Sequence, residues 1–145
     1  MSIKPFLSEV IRATRAVSQR YWSDSCTYCI RNSWDRNSQT AGLWFRTKGC
    51  TWASKGGCLV CNYSSGPNTT SDQIIDYVEN GMKEFDERLT YLLISPSGSM
   101  LDSNEVPNTA RDEIINILAT TLHDGFGFET RPETINGEII QNFQD

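Results

Sequence analysis

The sequence lacks several features that define common protein classes. No apolar run approaches the ~18–20 residues that a membrane-spanning helix needs. Residues 1–6 read Met-Ser-Ile-Lys-Pro-Phe and lack the apolar region of a secretory signal peptide. The single histidine, His123, belongs to no arrangement of serine, histidine and aspartate that would indicate a hydrolase. We therefore expect a cytoplasmic protein that does not contact a membrane.

The composition is that of a globular domain. The 145 residues suffice for one domain, and a hydrophobic content of 38% argues against a disordered chain. The net charge is −5. Residues 1–67 contain nine Lys/Arg and three Asp/Glu, whereas residues 68–145 contain four Lys/Arg and fifteen Asp/Glu. Because the basic residues are scattered, we favour their neutralisation by the acidic half over a nucleic-acid-binding patch.

Strand and helix patterns alternate along most of the chain, which predicts an α/β fold. Strands are expected at 43–47, 89–94 and 126–130, and helices at 5–21, 70–85, 109–123 and from 133 onward. A capping box at Thr70-Ser71-Asp72-Gln73 marks the start of one helix. This order predicts a parallel sheet with right-handed crossovers, and three such units do not close a barrel. The domain boundary is expected between a helix with a polar extension (1–41) and the core (42–145).

Three cysteines follow the first of these strands on one loop. Cys50, Cys58 and Cys61 have the spacing C-x7-C-x2-C, and thiols in a reducing compartment are more often metal ligands than disulfides. Three thiolates can bind three irons of a 4Fe–4S cube and leave the fourth iron open. Gly56 and Gly57 would let the backbone approach the cube. An open iron can chelate an amino acid through its amine and carboxylate.

A zinc site is the alternative interpretation of the cysteines. Cys26 and Cys29 together with Cys58 and Cys61 make four ligands, as in a zinc ribbon that contacts RNA or protein without catalysis. Cys50 would then be left over. Buried thiols without a metal are a third interpretation.

Three segments in this order carry a resemblance to a known family. They are Arg46 to Tyr63 with the cysteine loop, Ser97-Gly98-Ser99-Met100-Leu101-Asp102, and Phe128-Glu129-Thr130-Arg131-Pro132-Glu133. Each follows a predicted strand, and together they resemble the radical S-adenosylmethionine superfamily. Within it, the likeness is to the branch that contains the Elongator catalytic subunit and the archaeosine synthase radical subunit. The resemblance covers about residues 42–145.

The resemblance implies a partial (βα)6 TIM-like barrel of about three βα units, with Cys50, Cys58 and Cys61 as ligands of a 4Fe–4S cluster. The open iron would bind the methionyl part of S-adenosylmethionine. One electron would break its carbon–sulfur bond and yield a 5′-deoxyadenosyl radical, which abstracts hydrogen from the substrate.

The resemblance also assigns candidate cofactor contacts. Ser97, Gly98 and Ser99 occupy the place of the segment that contacts the methionyl amine. Glu129 and Arg131 would lie near the ribose or the carboxylate of the cofactor. Tyr63 is a further candidate for cofactor binding. From the residues alone, there are two alternatives: the serine segment can be an ordinary turn, and Glu129 and Arg131 can be partners of other charges. Asp102 and Glu105 are close in sequence, but nothing marks them as a catalytic pair.

The remaining expectations concern substrate and completeness. The likeness implies a modified tRNA nucleoside as substrate, with a small metabolite as the alternative, and an electron donor such as a flavodoxin or ferredoxin. Since residue 145 falls where a fourth strand should begin, we expect a truncated radical S-adenosylmethionine core. A folded remnant that binds a cluster without cleaving the cofactor is the remaining hypothesis.

Overall fold

A computed structural model describes residues 27–31, 40–55, 63, 66–85, 89–122 and 124–141. Within these residues, four strands form one sheet: β1 (Thr27–Arg31), β2 (Thr40–Phe45), β3 (Tyr91–Pro96) and β4 (Gly125–Phe128). The helices in the same ranges are α1 (Thr51–Ser54), α2 (Ser71–Met82), α3 (Asn108–Thr121) and α4 (Gly137–Gln141), with a 3-10 turn at Pro132–Thr134. The predicted helix at 5–21 lies outside the described residues.

The sheet has the strand order β1-β2-β3-β4. β2, β3 and β4 are parallel, with Leu43 opposite Ile94 and Ile94 opposite Phe128, whereas β1 is antiparallel to β2. Helices α2 and α3 lie in the two connections between the parallel strands. The expected open α/β fold, built from a few βα units, is confirmed.

One face of the sheet packs against α2 and α3. Leu43, Phe45, Leu92 and Ile94 point toward the helices and are fully buried. The apolar stripes that the sequence predicts for the two helices complete this core, with Ile74, Val78, Ile114 and Leu118 buried. Alternate residues of a strand point to opposite faces, so the other face carries Gly42, Trp44 and Leu93.

The exposure of Leu93 corrects one expectation. The apolar run of β3 indicates a strand covered on both faces, but burial alternates along it, and Leu93 is 40% exposed in the described part of the chain. Its cross-strand neighbours are Gly42 and Gly127, neither of which has a side chain to cover it.

Helix α2 begins as predicted. The Thr70 hydroxyl accepts a hydrogen bond from the backbone N–H of Gln73, and the Gln73 side chain accepts one from the backbone N–H of Thr70. This reciprocal pair satisfies two N–H groups that have no partner within the helix.

Local differences from the sequence pattern have physical causes. The polar segment 22–41 contains β1, which was not predicted, and its register sets Cys29 opposite Leu43. β2 ends before Thr47 because the Thr47 N–H donates to Ser97 Oγ (2.7 Å) rather than to a strand. The cysteine loop contains the short helix α1. None of the helices in the described ranges has the length and apolar character needed to cross a bilayer.

Candidate functional site

Three loops meet at the carboxyl edge of the parallel strands. They are the segment 46–55 after β2, the segment 97–107 after β3 and the segment 129–136 after β4. Parallel strands bring their carboxyl ends to one edge, which is where open α/β sheets bind ligands. The described residues of all three segments of the family resemblance therefore lie at this edge.

Cys50 is the one cluster candidate whose position is described. It lies five residues after β2, is 8% exposed and forms no disulfide. Its backbone N–H donates to Tyr63 O at 2.5 Å, which draws the two ends of the cysteine loop together. Gly49 has a φ of 102°, a conformation that glycine adopts without strain. Cys58 and Cys61 lie outside the described residues.

The Arg131 guanidinium crosses from the β4 loop to Cys50. Nη1 lies 3.3 Å from Cys50 Sγ and 2.6 Å from Glu105 Oε1. Nη2 lies 2.6 Å from Asp102 Oδ2 and 3.3 Å from Thr51 Oγ1. All three nitrogens are engaged, since Nε also donates to Glu133 Oε1 at 2.7 Å. The N–H groups of the guanidinium are thus hydrogen-bonded to other side chains of the same chain.

The Glu105 carboxylate ties all three loops together. Its side chain has no exposed surface. Oε1 accepts hydrogen bonds from the Thr51 N–H (2.6 Å) and hydroxyl (2.7 Å), besides the one from Arg131. Oε2 accepts from the Ser99 N–H at 2.6 Å. A Cβ at residue 98 would collide with this carboxylate, so Gly98 makes room for Glu105.

Hydrogen bonds and neighbouring charges shift the pKa values of Asp102 and Arg131. Burial acts to raise the pKa of Asp102, but hydrogen bonds from the Asn104 N–H, the Thr51 hydroxyl and Arg131 outweigh it, and the pKa lies below its usual value. Burial likewise acts to lower the pKa of Arg131, but Glu105, Glu133 and Asp102 raise it well above its usual value. Both groups therefore stay charged at neutral pH.

The predicted contacts Ser97 and Ser99 are buried and bonded to other loops. Ser97 Oγ accepts from the Thr47 N–H. Ser99 Oγ accepts from the Arg131 N–H at 3.1 Å and lies 2.6 Å from Thr130 Oγ1 and 3.1 Å from Thr134 Oγ1. The segment 97–99 thereby fixes the β3 loop against its neighbours, and its contact with a cofactor stays a prediction.

Tyr63 and Glu129 lie apart from the arginine network. The Tyr63 hydroxyl accepts a hydrogen bond from Trp44 Nε1 at 3.1 Å, with the ring centroids 6.2 Å apart. The Glu129 carboxylate is exposed and accepts from Ser95 Oγ at 2.6 Å. Trp44 and Ser95 are opposite each other on β2 and β3, so both candidates adjoin the sheet face opposite α2 and α3.

Sequence reasoning missed the roles of Asp102 and Glu105. Both acids follow the Ser97-Gly98-Ser99 segment, and Arg131 follows the next strand. The sequence positions could have predicted this contact, because residues that directly follow adjacent parallel strands converge at one edge of the sheet.

An iron–sulfur cluster at this edge of the sheet would need several thiolate ligands close together. Among the described residues, no three His, Cys, Asp or Glu side chains group into a metal site, and two of the three candidate cysteines lie outside them. Cys50 itself suits the role of a ligand. Its sulfur is buried beside a guanidinium N–H donor, the kind of partner that supports an anionic sulfur ligand.

Fold and site together define an open α/β sheet with a buried, charged network at the carboxyl edge of its parallel strands. The chain is 37% identical over 109 residues to an uncharacterized protein of Methanocaldococcus jannaschii, covering 68% of this chain and 30% of that protein. It is 30% identical over 109 residues to the archaeosine synthase subunit beta of Methanosarcina acetivorans, covering 72% and 32% respectively. The chain thus spans about a third of the length of these curated relatives. No family model and no solved structure matches it.

Proposed function

We propose that this chain is the cluster-binding part of a radical S-adenosylmethionine enzyme that modifies a tRNA nucleoside. The single observation that carries the proposal is the position of Cys50. Its sulfur is buried at the carboxyl edge of the sheet, 3.3 Å from the Arg131 guanidinium, where the described parts of the three motif loops meet. The similarity to an archaeosine synthase subunit supports the substrate class.

Cys50, Cys58 and Cys61 would hold a 4Fe–4S cluster with one iron open. When bound, such a cluster would supply the electron for reductive cleavage of a carbon–sulfur bond of S-adenosylmethionine, and thereby the means to abstract hydrogen from the substrate. The Cys50 N–H bond to Tyr63 O joins the two described ends of the cysteine loop.

The other candidate residues divide into two groups by their contacts. Ser97, Gly98 and Ser99 shape the loop beside Cys50, and the Arg131 side chain is directed to Cys50 and the acidic pair. Glu129 is exposed and is the better placed to contact a ribose hydroxyl, because a carboxylate accepts hydrogen bonds from such groups. We infer that Arg131 acts on the cluster side of the site rather than by binding the cofactor's carboxylate.

The proposed reaction requires an outside electron source. A flavodoxin or ferredoxin in the cytoplasm is the expected donor, because cleavage of the cofactor consumes an electron that the chain itself does not generate. A small metabolite remains the alternative substrate.

Metal content after anaerobic purification tests the proposal. The chain should be brown and contain iron and sulfide, and alanine at position 50, 58 or 61 should abolish both. Cys26→Ala and Cys29→Ala are matched controls that should retain the cluster. Zinc in a colourless protein, lost in Cys29→Ala and kept in Cys50→Ala, would instead establish the zinc module.

Cofactor cleavage is a separate measurement. With dithionite and S-adenosylmethionine, the reconstituted chain should release 5′-deoxyadenosine, and Cys50→Ala should release none. A chain that keeps its iron but forms no 5′-deoxyadenosine would be a remnant that binds the cluster without catalysis.

A further inference from the structure

One guanidinium joins the buried cysteine to an acidic pair. Arg131 Nη1 lies 3.3 Å from Cys50 Sγ, while Glu105 and Asp102 each accept a bond of 2.6 Å from the same group. We propose that Arg131 is a positioning residue that raises the reduction potential of a cluster bound to Cys50, with Asp102 and Glu105 holding it in place. This inference rests on the proposed function, since it needs a cluster at Cys50.

The expected direction follows from charge. Reduction adds an electron to the cluster, and a positive group that donates an N–H to a ligating sulfur stabilises the reduced form. Such an effect depends on weak screening by water. The Arg131 side chain is 19% exposed and that of Asp102 12%, so neither charge is in open solvent.

The geometry explains why arginine is needed here. The two Nη atoms bind different carboxylates, one from each side of the fork, and Nε reaches Glu133. A lysine ammonium is a single point charge and cannot hold all these partners at once. The acidic pair therefore fixes the direction in which Nη1 points, and that direction leads to Cys50.

A redox titration of the reconstituted full chain, followed by electron paramagnetic resonance, tests the inference. Arg131→Gln should make reduction of the cluster about tenfold less favourable. For a one-electron couple this lowers the midpoint potential by ~59 mV. Asp102→Asn should move it upward, because the amide oxygen can still accept from Arg131 and Thr51 while the negative charge is gone. General loosening of the site would not produce shifts of opposite sign.

Arg111→Gln is the matched control. Arg111 is also largely buried, but its salt bridge is with Asp112 at 3.1 Å, and its variant should leave the midpoint unchanged. If Arg131→Gln does not fold, Arg131→Lys replaces it and should show a smaller downward shift.

The outcomes separate this inference from the proposed function. Full iron content with an unshifted midpoint in the folded Arg131 variant overturns the inference alone. A wild-type chain without iron overturns both. Downward and upward shifts in the Arg131 and Asp102 variants, with the Arg111 variant unchanged, support the inference.

Discussion

Glu105 Oε1 lies 2.6 Å from Arg131 Nη1, and the Glu105 side chain has no exposed surface. The same oxygen accepts both hydrogen bonds from Thr51. One buried carboxylate therefore joins the loops that follow β2, β3 and β4, and the arrangement of the site depends on it.

Glu105→Ala should lower the free energy of unfolding by ~3 kcal/mol, near the lower end for a broken buried ion pair because Arg131 keeps some contact with water. The variant leaves the Thr51 and Ser99 N–H groups without their acceptor. Urea denaturation followed by tryptophan fluorescence measures the loss. Glu133→Ala removes an exposed partner of the same guanidinium and should cost much less. Equal losses in the two variants would contradict the central role of Glu105.

Gly98→Ala should destabilise the fold by about 1–3 kcal/mol, because the new methyl group meets the Glu105 carboxylate in a filled site. Gly137→Ala is the control: a Cβ there meets nothing within 4 Å, and the residue lies at the start of α4. That variant should be neutral or more stable by about 0.4–1 kcal/mol. Thermal unfolding of both variants checks the difference, and a Gly98 variant as stable as the wild type would be inconsistent with the close packing.

Thr70→Ala should cost ~1 kcal/mol, since it removes the side chain that caps α2. Thr70→Ser keeps a hydroxyl acceptor for the Gln73 N–H and should recover most of the loss. Helical signal and unfolding midpoint in urea report the effect. If Thr70→Ser were as unstable as Thr70→Ala, the methyl group rather than the cap would be responsible.

Acid stability should depend on Asp102. Its pKa is depressed in the folded protein, so its contribution to stability is present above its unfolded value near 3.8 and is lost as the pH falls through the folded value. Between neutral pH and about pH 4 the contribution should be nearly constant. The Asp102→Asn variant cannot lose it, so its stability should fall less steeply than that of the wild type below pH 4. Urea midpoints measured from pH 7 to pH 2.5 test this, and parallel pH curves would argue against the assignment.

Local patterns predicted most of the fold. The capping box at Thr70 and the apolar stripes of α2 and α3 were readable because they depend on neighbours three or four residues away. β1 could not be predicted from the sequence, because this polar segment forms a strand only through its pairing with β2.

The sequence by itself determined the alternation of the three parallel strands with α2 and α3, the three motif segments and the loop on which Cys50 lies. Only the tertiary structure decided that Arg131 is directed to Cys50, Asp102 and Glu105 instead of remaining available at the surface. The physical reason is that a residue's charge is a local property, whereas its partners depend on which loops the parallel sheet brings together. Cys50 and Arg131 are 81 residues apart in the chain, and no periodic pattern extends over that distance.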